Sequence, residues 1–311
     1  EAQNEVDATP SDAVYDAVNR VRGRVGMPTY AYGSKSQSEM REIIRHERRV
    51  EFAGEGLYYN DIRRWMTAEL VMNAVIQDYA GTDIAVRAFD PDREEALARA
   101  AAEGVGQLLL PAIDSESHER LFGLCRRHPQ RCIPMMGLHP TSVNDNPRWR
   151  DELALVESYL RTPPEGIAGF CAVGEIGLDL YWSRDFREEQ AEAFRRQIDL
   201  SLQYGLPIAV HTRDAWPETV AIMREYRGRG VRGVFHAFSD TADTYRKLKE
   251  YGDFVFGIGG VVTFKKSKLA DTVREMQLRD IVLETDCPYL TPAPHRGERN
   301  ESASVLSLIH I

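Results

Sequence analysis

Five short apolar runs in the second half of the chain each carry, at or near their ends, a residue able to bind a cation or move a proton. RCIPMMGLH (131–139) ends in His139, FCAVGEIGLD (170–179) carries Glu175, LPIAVHTRD (206–214) carries His211, RGVFHAF (232–238) carries His236, and DIVLETD (280–286) ends in Asp286. Neutral imidazole and carboxylate oxygen together suit a divalent cation of hard or borderline character, Zn, Mn or Mg. A carboxylate such as Glu175 is able to bridge two cations, and a cation pair can hold both the attacking and the leaving oxygen of a phosphoryl group. Asp286 is suited to bind a cation and to orient the attacking water. Arg213, two residues past His211, offers a planar guanidinium that fits phosphate through two parallel bonds; its plain alternative is a surface ion pair. One histidine after an apolar run is commonly a satisfied core residue. Five chemical groups in register at five run ends are hard to explain that way.

The elements that must position these groups follow from the rhythm of the chain. Seven strand candidates, 106–114, 131–139, 170–179, 206–214, 232–238, 253–260 and 280–286, alternate with helical stretches such as 92–103, 187–203 and 241–251. Parallel neighbours need a crossover helix, so the alternation predicts a parallel α/β sheet. An open doubly wound sheet and a barrel share this rhythm. A barrel opens all its strand C-termini on one face, where five such residues converge; an open sheet spreads them along an edge. The placement of the polar residues therefore favours a (β/α) barrel.

The first 75 or so residues read differently. Residues 12–24 form an amphipathic helix stopped by Gly26 and Pro28, and a second helical pattern runs from Ser38 to about Phe52. A turn at 54–56 leads into LYYNDIRRWMTAELVMNAV. His46-Glu47 begins an H-E-x-x-H motif but Val50 occupies the second histidine position, so the two ligands that must share one helical face are not there. The pattern reads instead as a charged helix with paired Arg and Glu.

Apolar residues make up 43% of 311 and charged residues 28%, enough for one large domain or two smaller ones. The net charge of −9 argues against gripping nucleic acid by bulk charge; any such contact has to be local or helped by bound cations. Cys125, Cys132, Cys171 and Cys287 form no C-x-x-C pair, which leaves free, mostly buried thiols rather than a thiolate zinc site. No run of 18 apolar residues predicts a membrane span. The chain opens on Glu1 without Met, so its start says nothing about targeting.

Two resemblances attach to these pieces. VGEIGLDLYWSRDFREEQAEAFRRQI, LPIAVHTRDA, VFHAFS, GGVVTFKKS and IVLETDCPYLTPAPHRGERNE strongly resemble the TatD family over about 87–302. The resemblance implies an incomplete (β/α)8 TIM-like barrel of the metal-dependent hydrolase type and a deoxyribonuclease acting 3′ to 5′ on phosphodiester bonds. It implies Glu175, His211, His236 and Asp286 as metal ligands, Asp286 with Glu175 as the catalytic carboxylates, and His139 and Arg213 on the substrate phosphate. The partner implied is DNA or another phosphodiester; the cofactor is one or two divalent cations, and no protein partner is inferred. Relatives that act on other ester or amide bonds keep a lactonase or amidase open as an alternative. AVYDAVNRVRGRVGMP and EMREIIRHERRVEFAGEGLYYNDIRRW resemble the C-terminal region of SusD/RagB outer-membrane glycan-binding proteins over about 13–76.

The chain departs from the TatD pattern at both ends. The family's first strand carries H-x-H, whose histidines hold one of two metals. Counting back from FDPDREEALARA (89–100), that pair falls near Gly81 and Asp83, where DYAGTDIAVRA has no His. The expected organisation is a SusD-like helical fragment at 1–76, a junction at 77–88, the hydrolase barrel at 89–302 and a non-family tail at 303–311. The expected function is a metal-dependent phosphodiesterase weakened by loss of the H-x-H ligands. A glycan-binding fragment and a fusion without function are the alternatives. The hydrolase part implies a cytoplasmic location, the SusD-like part an outer-membrane one. FKKSK (264–268) reads as a solvated basic turn or as a contact for nucleic-acid backbone.

Overall fold

A computed structural model describes residues 9–24, 27–51 and 89–308. The chain divides into two compact units, Glu1–Met72 and Asn73–Ile311. In the first, α1 (Asp12–Arg24) and α2 (Gln37–Glu51) bury Val14, Tyr15 and Val18 with Met40 and Ile44. Arg22 on α1 pairs with Glu47 on α2 and donates to the carbonyl of Pro28 at 2.7 Å, so the buried guanidinium holds the interhelical turn. The predicted turn at 54–56, the helical text after it, the 77–88 junction and the Gly81 and Asp83 positions all lie outside the described residues.

Among its described residues the second unit contains seven strands separated by helices. They are β1 (Leu108–Leu110), β2 (Cys132–Pro134), β3 (Val173–Asp179), β4 (Ile208–Arg213), β5 (Arg232–Phe235), β6 (Asp253–Ile258) and β7 (Ile281–Leu283). The helices are α3 (Arg93–Ala102), α4 (Ser115–Arg127), α5 (Trp149–Arg161), α6 (Arg187–Tyr204), α7 (Trp216–Glu225), α8 (Ala242–Tyr251) and α9 (Leu269–Arg274). All strand pairs are parallel and sequential; β1 pairs with β2, β3 to β7 follow in order, and a bridge between Met136 and Val173 joins the two ladders. A doubly wound sheet reverses its strand order at a switch point. An unbroken sequential order is the winding of a barrel. Among the described residues, β1 and β7 have no strand partner on their outer sides, so the barrel-like ladder these residues form is open between them.

Helix α6 carries the clearest positioning device. Gln190 and Gln197, seven residues apart and therefore on one face, are fully buried. The Gln190 amide accepts from Asp179 N at 2.8 Å and donates to Asp179 O at 2.9 Å. Gln197 accepts from Leu138 N at 2.7 Å and donates to Leu138 O at 3.1 Å. Each side chain thus completes backbone pairing where a ladder stops, beside a residue of the cleft described below. The stretch 303–308, expected as a tail outside the barrel, is part of it: Ser302–Leu308 forms a 3-10 helix with Val305 and Leu308 buried. Glu301 clamps Arg99 of α3 through bonds of 2.6 to 3.0 Å. The apolar residues that looked unlike family text are what pack it there.

Among the described residues no helix is long and apolar enough to cross a membrane. The four cysteines are free, and burial pushes the thiols of Cys125, Cys132 and Cys171 up to about 12, which makes them packing residues rather than nucleophiles.

His118 on α4 is buried against Phe122 and Tyr159, with neither ring nitrogen hydrogen-bonded. Burial lowers its pKa below the ordinary histidine value. The folded state therefore keeps the ring neutral while the unfolded chain protonates it near pH 6.5, so stability falls as pH drops below that value. His118→Leu is expected to stabilise the unit by about 1 kcal/mol at pH 7.5 and by more at pH 5.5. Paired urea unfolding curves at the two pH values read the difference.

Candidate metal centre

The site lies at the C-terminal ends of the strands, in a cleft of about 710 Å³ lined by His139, Glu175, His211, Arg213, His236 and Asp286. These are the six residues singled out from the sequence, and the structure brings all of them to one place. Glu175 sits on β3, where all seven residues are buried. Gly177 on the same strand lies opposite His211, and a Cβ there would fall 2.0 Å from the His211 carbonyl oxygen. The missing side chain is what lets β3 and β4 close up, bringing Glu175 and Asp179 to either side of the His211 ring. His211 Nδ1 is 3.3 Å from Glu175 Oε1, and Nε2 is 3.0 Å from Asp179 Oδ2.

His236, just past β5, is fixed from below. Its Nδ1 lies 3.0 Å from Glu284 Oε2, while Ala237 N donates to Glu284 Oε1 at 2.5 Å. The other ring nitrogen, Nε2, faces Asp286 Oδ1 at 3.2 Å and Glu175 Oε1 at 3.7 Å. Gly257 on β6 makes room for Glu284, since a Cβ there would meet Oε2 at 2.0 Å. Asp179 and Glu284 were not among the residues read from the sequence. Both stand in quoted motifs, GEIGLD and ETD, two or four residues from a chosen carboxylate, and the period-2 alternation of a strand was the signal that could have found them.

His139 caps a 3-10 turn at Pro140–Ser142, and its Nδ1 accepts from Thr141 N at 3.2 Å. A neutral ring accepting at Nδ1 carries its proton on Nε2. Burial, with His211 beside it, lowers the His139 pKa to about 4, which keeps the ring neutral. Its Nε2 is therefore a donor. His139, Glu175 and His211 also offer ligand atoms within 4.8 Å of one another, but the tautomer suits His139 to an anionic partner better than to a cation.

Burial alone would raise the Glu175 carboxyl; His236, His211 and His139 outweigh it and hold it well below its ordinary value. Burial opposes charge on His211 too, but Asp179 and Glu175 raise it to about 9. His236 is raised well above its ordinary value because Glu284, Glu175 and Asp286 overcome its burial. Glu175 Oε1 is buried without a hydrogen-bond partner, yet faces nitrogens on His211 and His236. An orphaned carboxylate oxygen among imidazoles whose far nitrogens are held by further carboxylates is the donor set of a divalent cation, with Asp179 and Glu284 orienting the ligands. Backbone strain gathers here as well: Ala237, Asp286 and Leu290 line the cleft at φ of 45°, 54° and 54°, a region costly for side-chain-bearing residues.

Glu284→Ala removes the acceptor that orients His236. It is expected to weaken divalent-cation binding about 10- to 100-fold, read by competition with a chromophoric chelator. An unchanged affinity would leave Glu284 with a packing role alone.

Comparison with known proteins agrees with this geometry. The family model described as TatD related DNase matches residues 80–310, and one for the SusD family matches residues 1–116. The chain is 33% identical over 222 residues to the metal-dependent hydrolase YabD of Bacillus subtilis, covering 70% of this chain and 82% of that one. It is 30% identical over 236 residues to the 3'-5' ssDNA/RNA exonuclease TatD of Enterobacter lignolyticus, covering 74% and 86%. The crystal structure of the TatD homologue YjjV from Escherichia coli superposes with a TM-score of 0.65 at 26% identity, over 75% of this chain and 88% of that one. With a matching barrel winding and a family match across three-quarters of its length, this chain belongs to the TatD-related family of metal-dependent hydrolases.

Proposed function

We propose that the barrel unit is a phosphodiesterase that acts on nucleic acid and is weakened by loss of one metal site. The observation that carries this reading is the orphaned Glu175 oxygen, set between His211 and His236 in a cleft that also holds an arginine. The name of the Enterobacter relative supports the substrate class.

Glu175, His211, His236 and Asp286 are the residues that hold the cation, Zn, Mn or Mg. When bound, a divalent cation supplies charge opposite the phosphoryl oxygens and acidifies the attacking water. Asp286 is the proton acceptor. Its side chain is 25% exposed, against 7% or less for Glu175, Asp179 and Glu284, so it is the one carboxylate of the four that reaches incoming water. His139 donates from Nε2 to a phosphate oxygen, and Arg213 holds the phosphate through its guanidinium. Asp179 and Glu284 keep His211 and His236 turned toward the reacting centre.

The DYAGTDIAVRA text near Gly81 and Asp83 carries no histidine, so the H-x-H ligands of the second cation are missing. Charge stabilisation at the phosphate falls by several kcal/mol as a consequence.

Metal analysis after dialysis is expected to give at most one tightly held divalent cation per chain, with slow hydrolysis of bis(p-nitrophenyl) phosphate in added Mn. His211→Ala should abolish that turnover. Grafting a D-T-H-x-H segment over residues 79–83 should raise it by about two or more orders of magnitude. Two metals per chain with fast cleavage by the unaltered protein would overturn the impairment; a metal-loaded protein without any diesterase activity would overturn the reading itself.

A further inference from the structure

Large aromatic rings are usually sheltered from water, and most of this barrel's are. Three at the mouth are not. Tyr181 is 52% exposed, Trp182 69% and Tyr289 64%. Trp182 and Tyr289 line the same cleft as Glu175 and His211. Tyr181 and Trp182 follow directly after β3, two and three residues beyond Asp179, with their rings edge to face at 4.9 Å. The corner is fixed by its backbone: Leu180 N donates to Arg213 O at 2.9 Å and Tyr181 N to Asp179 Oδ1 at 3.1 Å.

Arg213 completes the arrangement. Its guanidinium carbon lies 3.7 Å from the Tyr181 ring centre and 5.5 Å from that of Trp182. No carboxylate among the described residues forms an ion pair with it, so its charge is committed to aromatic faces and open to an anion. An arginine stacked this way is held in place and keeps its donors available for phosphate.

A second feature points to a chain-like anion. Lys265, Lys266 and Lys268 are exposed and form no ion pair among the described residues. They follow a turn, Gly260–Thr263, whose Val261 lines the cleft, and Arg296 lies over Phe264 at 3.8 Å. In a protein of net charge −9, this local basic edge cannot draw in a polyanion by bulk charge. Affinity has to come from short-range contacts, which rings facing open solvent supply.

We propose that Tyr181 and Trp182 form a base-stacking subsite for single-stranded nucleic acid, with Arg213 holding the adjoining phosphate and the Lys265–Lys268 loop guiding the strand. The proposal rests on the phosphodiesterase reading above and adds how the strand is held. A single strand is required because paired bases stay inside the duplex and cannot reach a side-on ring.

The test is binding by the full chain in EDTA, where no turnover intervenes. The probes are a fluorescein-labelled oligothymidylate of about twelve nucleotides, an abasic oligomer of the same length, and the thymidylate strand annealed to its complement. The thymidylate is expected to bind about 5- to 100-fold more tightly than the abasic strand or the duplex, the range of one or a few stacked bases. Trp182→Ala should bring thymidylate binding down to the abasic level and leave abasic binding unchanged; Trp182→Phe, which keeps a ring, should restore most of the preference. Equal binding of thymidylate and abasic strands overturns the subsite, as does a Trp182→Ala variant that loses affinity for both alike, or a duplex that binds as well as the single strand. Because this assay reads no hydrolysis, its failure leaves diesterase activity standing, and a protein that prefers thymidylate but cleaves nothing loses only the catalytic reading.

Discussion

The barrel's working end is organised around a buried negative charge. Glu175 is 6% exposed and one of its oxygens has no hydrogen bond. A carboxylate in that state costs several kcal/mol unless something positive faces it. Much of the local architecture follows from meeting that demand. His211 and His236 are turned toward it, and each is turned by another carboxylate on its far side. Those carboxylates need room and anchoring in turn, which Gly257 and Gln190 provide. Two buried imidazoles bearing protons balance the site when no cation is present. A divalent cation can take over that role, which ties metal affinity to proton release.

The strand order and the six cleft residues were legible in the sequence because both depend on short-range pattern. Apolar runs of seven to ten residues alternating with helices name a parallel sheet, and a polar residue at or near the end of five of them names the open face. What stayed hidden depends on depth rather than pattern. Asp179 and Glu284 look on paper like any strand-end carboxylate; only their burial, at 1% and 0%, separates a residue that orients a ligand from one that faces water. Gln190 and Gln197 look like surface positions of a charged helix, and pairing with a strand backbone is a tertiary fact. The small and apolar residues of the 303–308 stretch carry no motif, while its attachment to α3 rests on Val305, Leu308 and the Arg99–Glu301 clamp.

The two ends of the barrel differ in kind. At the N-terminal ends of the strands lies an apolar cavity of about 460 Å³, lined by Leu109, Ile133, Val234, Val255 and Val282 among others. At the C-terminal ends, three carboxylates, three imidazoles and an arginine share one cleft. This is the usual division in such barrels, stability at one end and chemistry at the other. The ladder is open between β7 and β1 among the described residues, which bears on both ends. Leu109 and Val282 line the apolar end on either side of that opening, and the family pattern places two further nitrogen ligands ahead of β1, where the text near Gly81 and Asp83 has no histidine.

Electrostatics then sets an order of events. The cleft is lined by Glu175, Asp179 and Asp286, and the protein as a whole is acidic. The His211 and His236 imidazoles balance part of that charge, but a phosphate at the reacting centre still meets three carboxylates and needs a cation between them. On the reading proposed here, a cation therefore has to be in place before a phosphate can settle at the reacting centre, and the strand must be held meanwhile by contacts at the rim. Rings at the rim meet that requirement. They attract bases in water at any ionic strength, and Tyr181 and Trp182 sit two and three residues past the carboxylate that orients His211, so the sequence that builds the centre also builds the surface able to deliver a strand to it.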